Sequence, residues 1–249
     1  MKETMVDIEI KKRFMAAWEK HFSGCDLPIV CFYTDELSNV EFPDAPNPNP
    51  QGYTCIFSQI VPVKKGRPLA FNKENLGCFG SFLPFGFDSE LSDDVKGYVC
   101  NVERGIKSFE HLESMYKHRP AQAAPGKYLV FKRWDILEEQ DNPQVVFFIN
   151  NQDVITGLHG LANFDAMTPY EVIAPFGTGC DSIVGFPMHE LKSEQPKAVL
   201  GPLDVAVRKS FKPNMLTFAA PWPKFLRMLD NMDDSFLTTE IWTRLKSRL

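Results

Sequence analysis

Two short runs, Pro28–Tyr33 (PIVCFY) and Gln144–Asn150 (QVVFFIN), do most to limit what this chain can fold into. Each is largely apolar, rich in β-branched and aromatic residues, and too short for a buried helix. Each therefore predicts a buried strand. Amphipathic segments surround them. Ile10, Phe14, Trp18 and Phe22 recur every four residues, Met15 widens the stripe, and Gly24 ends it, which predicts a helix over 5–22. Asn151 is a good N-cap for a helix to about Asn163, with Val154, Ile155, Leu158, Leu161 and Ala162 on its inner face. A short helix begins at Cys55 and is limited by Pro62. Further strands are predicted at 68–71, 127–133, 170–176, 197–200 and 215–219, and further helices at 108–118, 224–232 and 235–246.

The expected class is α+β, a mixed sheet flanked by helices in a single domain spanning 1–249. Residues 28–36 resemble 143–151, and each half later presents a cysteine entering a helix. That echo raises the expectation of two pseudo-repeated halves, 1–122 and 123–249. The Pro/Asn-rich loop at 41–52 and the connector at 119–126 are the two places where a boundary would fall.

Charge and apolar patterning exclude some partners. The net charge is -5, and no Lys/Arg stripe is interleaved with aromatics, so nucleic acid is not an expected partner. No apolar run approaches the ~20 residues of a membrane span. The first residues carry acids and no apolar h-region, so a cytoplasmic protein is expected. In that setting the six cysteines are expected as reduced thiols or ligands, not disulfides. The 21 Phe against 6 Tyr call for a dry core or an apolar pocket.

Chemistry concentrates between Thr54 and Phe87 and again at Phe176–Asp181 (FGTGCD). Cys55, Cys78 and Cys180 are expected to meet at one site as metal ligands. There is no C-x-x-C, so a structural zinc knuckle is not expected. Three scattered thiolates suit a metal or an iron–sulfur cluster with one position open. If Gly177–Cys180 turns from strand to helix, Cys180 lies at a helix N-terminus, where its pKa falls, and the turn binds a phosphate or carboxylate. Gly177 and Gly179 would then approach a cofactor closely. Asp204 and Arg208, spaced i, i+4, would pair and hold the guanidinium as an anion clamp. Cys31 reads as core, and Cys25 and Cys100 have no supporting context. The five histidines form no metal-binding pair; His111 and His118 lie on a polar helix, and His159 is a lone helical histidine. Hydrolase and dinucleotide glycine motifs are missing.

The order of these features resembles the domain-of-unknown-function family 169, the uncharacterised ArCR family. The resemblance runs from about Pro28 to Leu229. It is carried by the strand Pro28–Phe32, then Cys55, Gly66, Cys78, Gly80 and Phe85-Gly86. In the second half it is carried by the strand Gln144–Ile149, the helix Gln152–Ala162, the turn Gly177–Cys180, and Gly201, Asp204 and Arg208. The loop at 41–52 is extra to the pattern, and residues 200–204 lack a cysteine many members carry there. The resemblance implies no settled activity.

Three functions are compatible with the residues. The first is a cysteine-lined cofactor or metal site serving redox or sulfur-related chemistry. The second is a non-catalytic module for a small molecule or anion, with an apolar pocket of Phe79, Phe82, Phe85 and Phe176. The third is an interaction protein whose cysteines are core only.

Overall fold

The computed structural model describes residues 7–44, 53–119 and 123–249. The predicted loop from 45 to 52, residues 120–122 of the predicted connector, and residues 5 and 6 of the first predicted helix lie outside them.

The chain is α+β, built on one seven-stranded mixed sheet. Its strands are β1 (Ile29–Thr34), β2 (Leu69–Phe71), β3 (Tyr128–Arg133), β4 (Val145–Asn151), β5 (Val172–Ile173), β6 (Ala198–Gly201) and β7 (Met215–Pro221). They lie in the order β2-β3-β1-β4-β7-β6-β5. All pairs are antiparallel except β5 with β6. The two runs that resemble each other in sequence, β1 and β4, are direct neighbours, with Ile29 opposite Phe147 and Cys31 opposite Val145.

Alternation along these strands feeds two cores. Val30, Phe32, Val130, Val146, Phe148 and Phe218 face one layer. That layer holds α1 (Ile8–Phe22), α6 (Gln152–Ala162), α9 (Trp222–Asn231) and α10 (Glu240–Lys246). The every-fourth-residue stripe is buried as expected, with Phe14, Trp18 and Phe22 at 3% exposure or less. Trp18 stacks on Phe22 with centroids 4.5 Å apart, and Trp242 meets Phe22 edge-on at 5.1 Å. A buried aromatic of this size contributes roughly 1.5–3 kcal/mol by burial alone, so this layer anchors the sheet.

Ile29, Cys31, Leu129, Phe131, Val145, Phe147 and Ala219 face the opposite layer. Short elements cover it. These are α2 (Ile56–Gln59), α3 (Val61–Lys64), a 3-10 turn at Phe79–Ser81, and α4 (Asp93–Gly97), which runs into a π turn at Tyr98–Val102. Then come α5 (Phe109–His118), α7 (Phe186–Glu190) and α8 (Val205–Arg208). A helix that starts at residue 179 widens into a π turn over Asp181–Gly185 before it becomes α7.

Several predicted elements change form. Pro62 does not end the Cys55 helix; it sits in the first turn of α3, where its missing N–H costs no helical hydrogen bond. The strand predicted over 170–176 shrinks to two residues, because β5 is the edge and pairs only with β6. The helix predicted over 235–246 is a 3-10 turn at Phe236–Thr238, then Thr239, then α10. The α4 segment was not predicted, although Ser92 caps it by accepting from the Val95 amide. Among the described residues no helix is long and apolar enough to cross a membrane.

Candidate functional site

Cys55 is the N-cap of α2, Cys78 the N-cap of the 3-10 turn, and Cys180 the second residue of the helix that starts at 179. All three line one cavity of about 430 Å³. The Ser81 hydroxyl lies 3.0 Å from Cys180 Sγ and also contacts the Cys78 thiol, so it links two of the sulfurs. Ser210 reaches the Cys55 thiol. Tyr53, Thr54, Tyr98, Glu103, Tyr116, Asp204 and Lys209 complete much of the wall. Thr54 Oγ1 is buried and has no hydrogen-bond partner among the described residues. A neighbouring cavity of about 400 Å³ shares Val99, Glu103, Tyr116, Thr178 and Asp204 with it, so the two are lobes of one hollow. Both π turns border this hollow, through Tyr98 and Val99 and through Asp181. Such turns occur preferentially at functional sites.

The electrostatics depart from the expectation for Cys180. Its thiol is raised well above the ordinary thiol range, not lowered. Burial is the largest cause, and the neighbouring Cys78 and Cys55 add to it, while Ser81 opposes. Cys55 and Cys78 are also raised by burial. The amides of Phe57 and Ser58 oppose this at Cys55, as do Ser81 and the amides of Gly80 and Ser81 at Cys78. Desolvation therefore outweighs the helix-start amides, and the free thiols keep their protons.

Two amides of the Gly177–Cys180 turn are taken up by the chain's own carboxylates. Thr178 N–H donates to Asp181 Oδ2 at 2.9 Å, and Gly179 N–H donates to Asp204 Oδ2 at 3.2 Å. Thr178 and Asp181 form a capping box, a signal already present in the sequence as T-x-x-D. Burial raises the Asp181 carboxyl against the pull of Arg119, its ion-pair partner. A Cβ on Gly177 would fall 2.8 Å from Phe186 Cε2 and 2.9 Å from Asp181 Oδ2. One on Gly179 would fall 2.8 Å from Phe57 Cε2. These glycines make room for the chain's own side chains.

Asp204 and Arg208 do not pair. Asp204 caps α8, accepting from the Ala206 amide at 2.9 Å. Arg208 donates to the carbonyls of Met215 and Pro213 at 2.6 and 2.9 Å, and it lines neither lobe. The cause is length: with four residues in α8 and Asp204 outside it, helical i, i+4 geometry does not hold. The four phenylalanines are likewise dispersed. Phe79 borders the cysteine lobe, Phe176 the second lobe, and Phe82 a separate depression, while Phe85 is fully buried core. Cys31 is core, with its thiol pushed up by complete burial. His111, His118 and His159 are exposed.

Glu103, Tyr116, Arg119, Asp181, Ser81 and Thr54 were missed as site residues. The capping box could have identified Asp181; the others have no local signal. Burial and nearby Asp204 raise the Glu103 carboxyl, and burial pushes the Tyr116 phenol up to about 12. Among the described residues, no group of three or more His, Cys, Asp and Glu side chains is set to hold a metal ion as it stands.

A family model described as uncharacterised ArCR, domain-of-unknown-function family 169, matches residues 27–231. The chain belongs to this family. The matched span of this ArCR protein takes in every strand of the sheet and all three cavity cysteines, while α1 and α10 lie outside it. No curated protein and no solved structure matches the chain significantly.

Proposed function

We propose that this ArCR protein holds a cofactor through Cys55, Cys78 and Cys180, an iron–sulfur cluster or a metal ion, and uses it in redox or sulfur-related chemistry inside the cell. One observation carries the reading: three cysteines distant in sequence line a single cavity, each at the start of a helical turn. Burial keeps these thiols protonated, and a bound cation is the partner that would compensate buried thiolates. Amides and hydroxyls beside the sulfurs are the groups that tune such a centre.

Anaerobic purification, iron and sulfide reconstitution, an absorption spectrum and metal analysis test this. Thiolate-to-metal bands with stoichiometric metal, abolished by Cys180→Ser and kept by Cys31→Ser, are expected. A colourless, metal-free protein after reconstitution would end the proposal. The second reading, a small-molecule-binding module without catalysis, draws on unpartnered Thr54 Oγ1 and the apolar second lobe. An anionic ligand at the Gly177–Cys180 turn would compete with the carboxylates that already accept from the Thr178 and Gly179 amides.

A further inference from the structure

The second lobe has a wall chemistry of its own. Leu112, Met115, Ile173, Phe176 and Phe186 make it mainly apolar. Arg119 is the one Lys or Arg among its described wall residues. Its guanidinium is held on three sides. The Tyr116 ring lies 5.6 Å and the Phe186 ring 5.9 Å from its central carbon, and Nη2 pairs with Asp181. Nη1 is buried and, among the described residues, finds no well-aligned acceptor for its N–H groups, although the Tyr116 hydroxyl also lies against the guanidinium. A buried donor left unmatched is costly, and an acceptor oxygen from a ligand would satisfy it.

The surrounding charge decides what kind of oxygen fits. Asp181 already neutralises Arg119. Glu103, Asp204 and Glu190 also line the lobe, and the two histidines on its wall, His118 and His189, are exposed. His118 Nδ1 faces the Ser114 carbonyl at 2.8 Å. A second carboxylate brought to Arg119 would meet net negative surroundings, whereas an uncharged oxygen would not. We infer that the second lobe binds an uncharged, mainly apolar molecule that presents a carbonyl-type oxygen to Arg119 Nη1. Tyr116 and Thr178 are among the residues that line both lobes, so such a molecule would lie beside the cysteine lobe. This goes beyond the cysteine-centred cofactor and does not depend on it.

Four probes with the same ring separate the options: acetophenone, benzamide, benzoate and benzylamine. Each is titrated into the full-length protein by calorimetry and by thermal shift, with and without reconstituted metal. Acetophenone and benzamide are expected to bind at least ten-fold more tightly than benzoate and benzylamine. Met115→Trp, at the partly exposed rim, fills the lobe without touching the Arg119–Asp181 pair and should abolish the binding. Arg119→Lys keeps a cation on Asp181 but removes the fork, and should erase the preference for the carbonyl compounds. Equal or tighter binding of benzoate, unchanged binding in Met115→Trp, or no binding by any probe would each overturn the inference. Loss of the metal spectrum with probe binding intact would instead strike only the cofactor proposal.

Discussion

Gly179→Ala measures why the turn before Cys180 is built from glycine. The backbone at Gly179 lies outside the left-handed region, so alanine adopts it without strain. The added Cβ would stand 2.8 Å from Phe57 Cε2, and 3.0 and 3.2 Å from the two methyls of Val207. Ordinary contact begins at 3.4 Å, so the ring must retreat by about 0.6 Å. It has little space to do so: Phe57 is 6% exposed and meets Phe211 edge-on at 4.6 Å. Overpacking of this kind costs about 1–3 kcal/mol. Replacing glycine at a helix start returns at most about 1 kcal/mol. The net loss of roughly 0.5–2 kcal/mol lowers the melting temperature by about 1–8 °C in a chain of this size. Gly97→Ala is the control. Nothing lies within 4 Å of its new Cβ and its φ is -59°, so its melting temperature should hold or rise by about 2–4 °C. Phe57→Leu should absorb part of the Gly179→Ala cost, leaving a coupling of about 0.5–2 kcal/mol in a double-mutant cycle followed by urea unfolding. Gly179→Ala melting at or above the parent temperature would refute the packing argument and return the glycine to a ligand-facing role.

Three other outcomes are expected. Asn151→Ala removes the acceptor for the Asp153 and Val154 amides, both at 3.0 Å, and should cost about 1 kcal/mol in urea unfolding. Lys224→Met leaves buried Glu171 without its cation and the Ala162 carbonyl without its donor; it should cost about 3–5 kcal/mol, most of it recovered by adding Glu171→Leu. Hydrogen bonding to Arg133 holds the Asp135 carboxyl below its ordinary range. A lowered folded-state value means stability present above the unfolded carboxylate pKa of ~3.9 and lost as pH falls through the folded value. Asp135→Asn should therefore flatten the stability-against-pH curve below about pH 4, and a parallel decline in parent and variant would show that the pair contributes nothing there.

Where local and tertiary preferences agree, the sequence was sufficient. The runs around Val30 and Phe147 became central strands because both of their faces found apolar layers. The Asn151 cap was legible because its bonds are made within its own turn. Failures came where a distant element decided the outcome. Residues 170–176 carry strand composition, yet only Val172 and Ile173 find a partner strand. Asp204 and Arg208 have helical spacing, but the first is turned to the Gly179 and Ala206 amides and the second to carbonyls beyond α8. The cysteine cavity was legible in part. The Gly-, Phe- or Pro-rich settings singled out the three cysteines that line it; their protonation was not legible, because it depends on burial supplied by remote segments.

The two layers on the sheet differ in a way that bears on chemistry. Long amphipathic helices such as α1 and α6 satisfy their backbone internally and present uninterrupted apolar stripes. Apart from the ten-residue α5, the opposite layer is built from elements of three to five residues, and each break leaves amides that need an acceptor. Ser92, Asp204 and Asp181 meet several of these needs from within the chain. At α2 and at the 3-10 turn the cap position is held by a thiol, Cys55 or Cys78, which is only a weak acceptor for the helix-start amides that face it. A thiolate would accept those amides far better than a thiol. Any cation that drew the protons from the cysteines would thus strengthen both helix starts along with the cavity between them, so cofactor binding and ordering of this layer should be linked. Limited proteolysis between α2 and the 3-10 turn, compared before and after metal reconstitution, reads that linkage directly: slower cleavage with metal supports it, and an unchanged rate in a protein that has taken up metal counts against it.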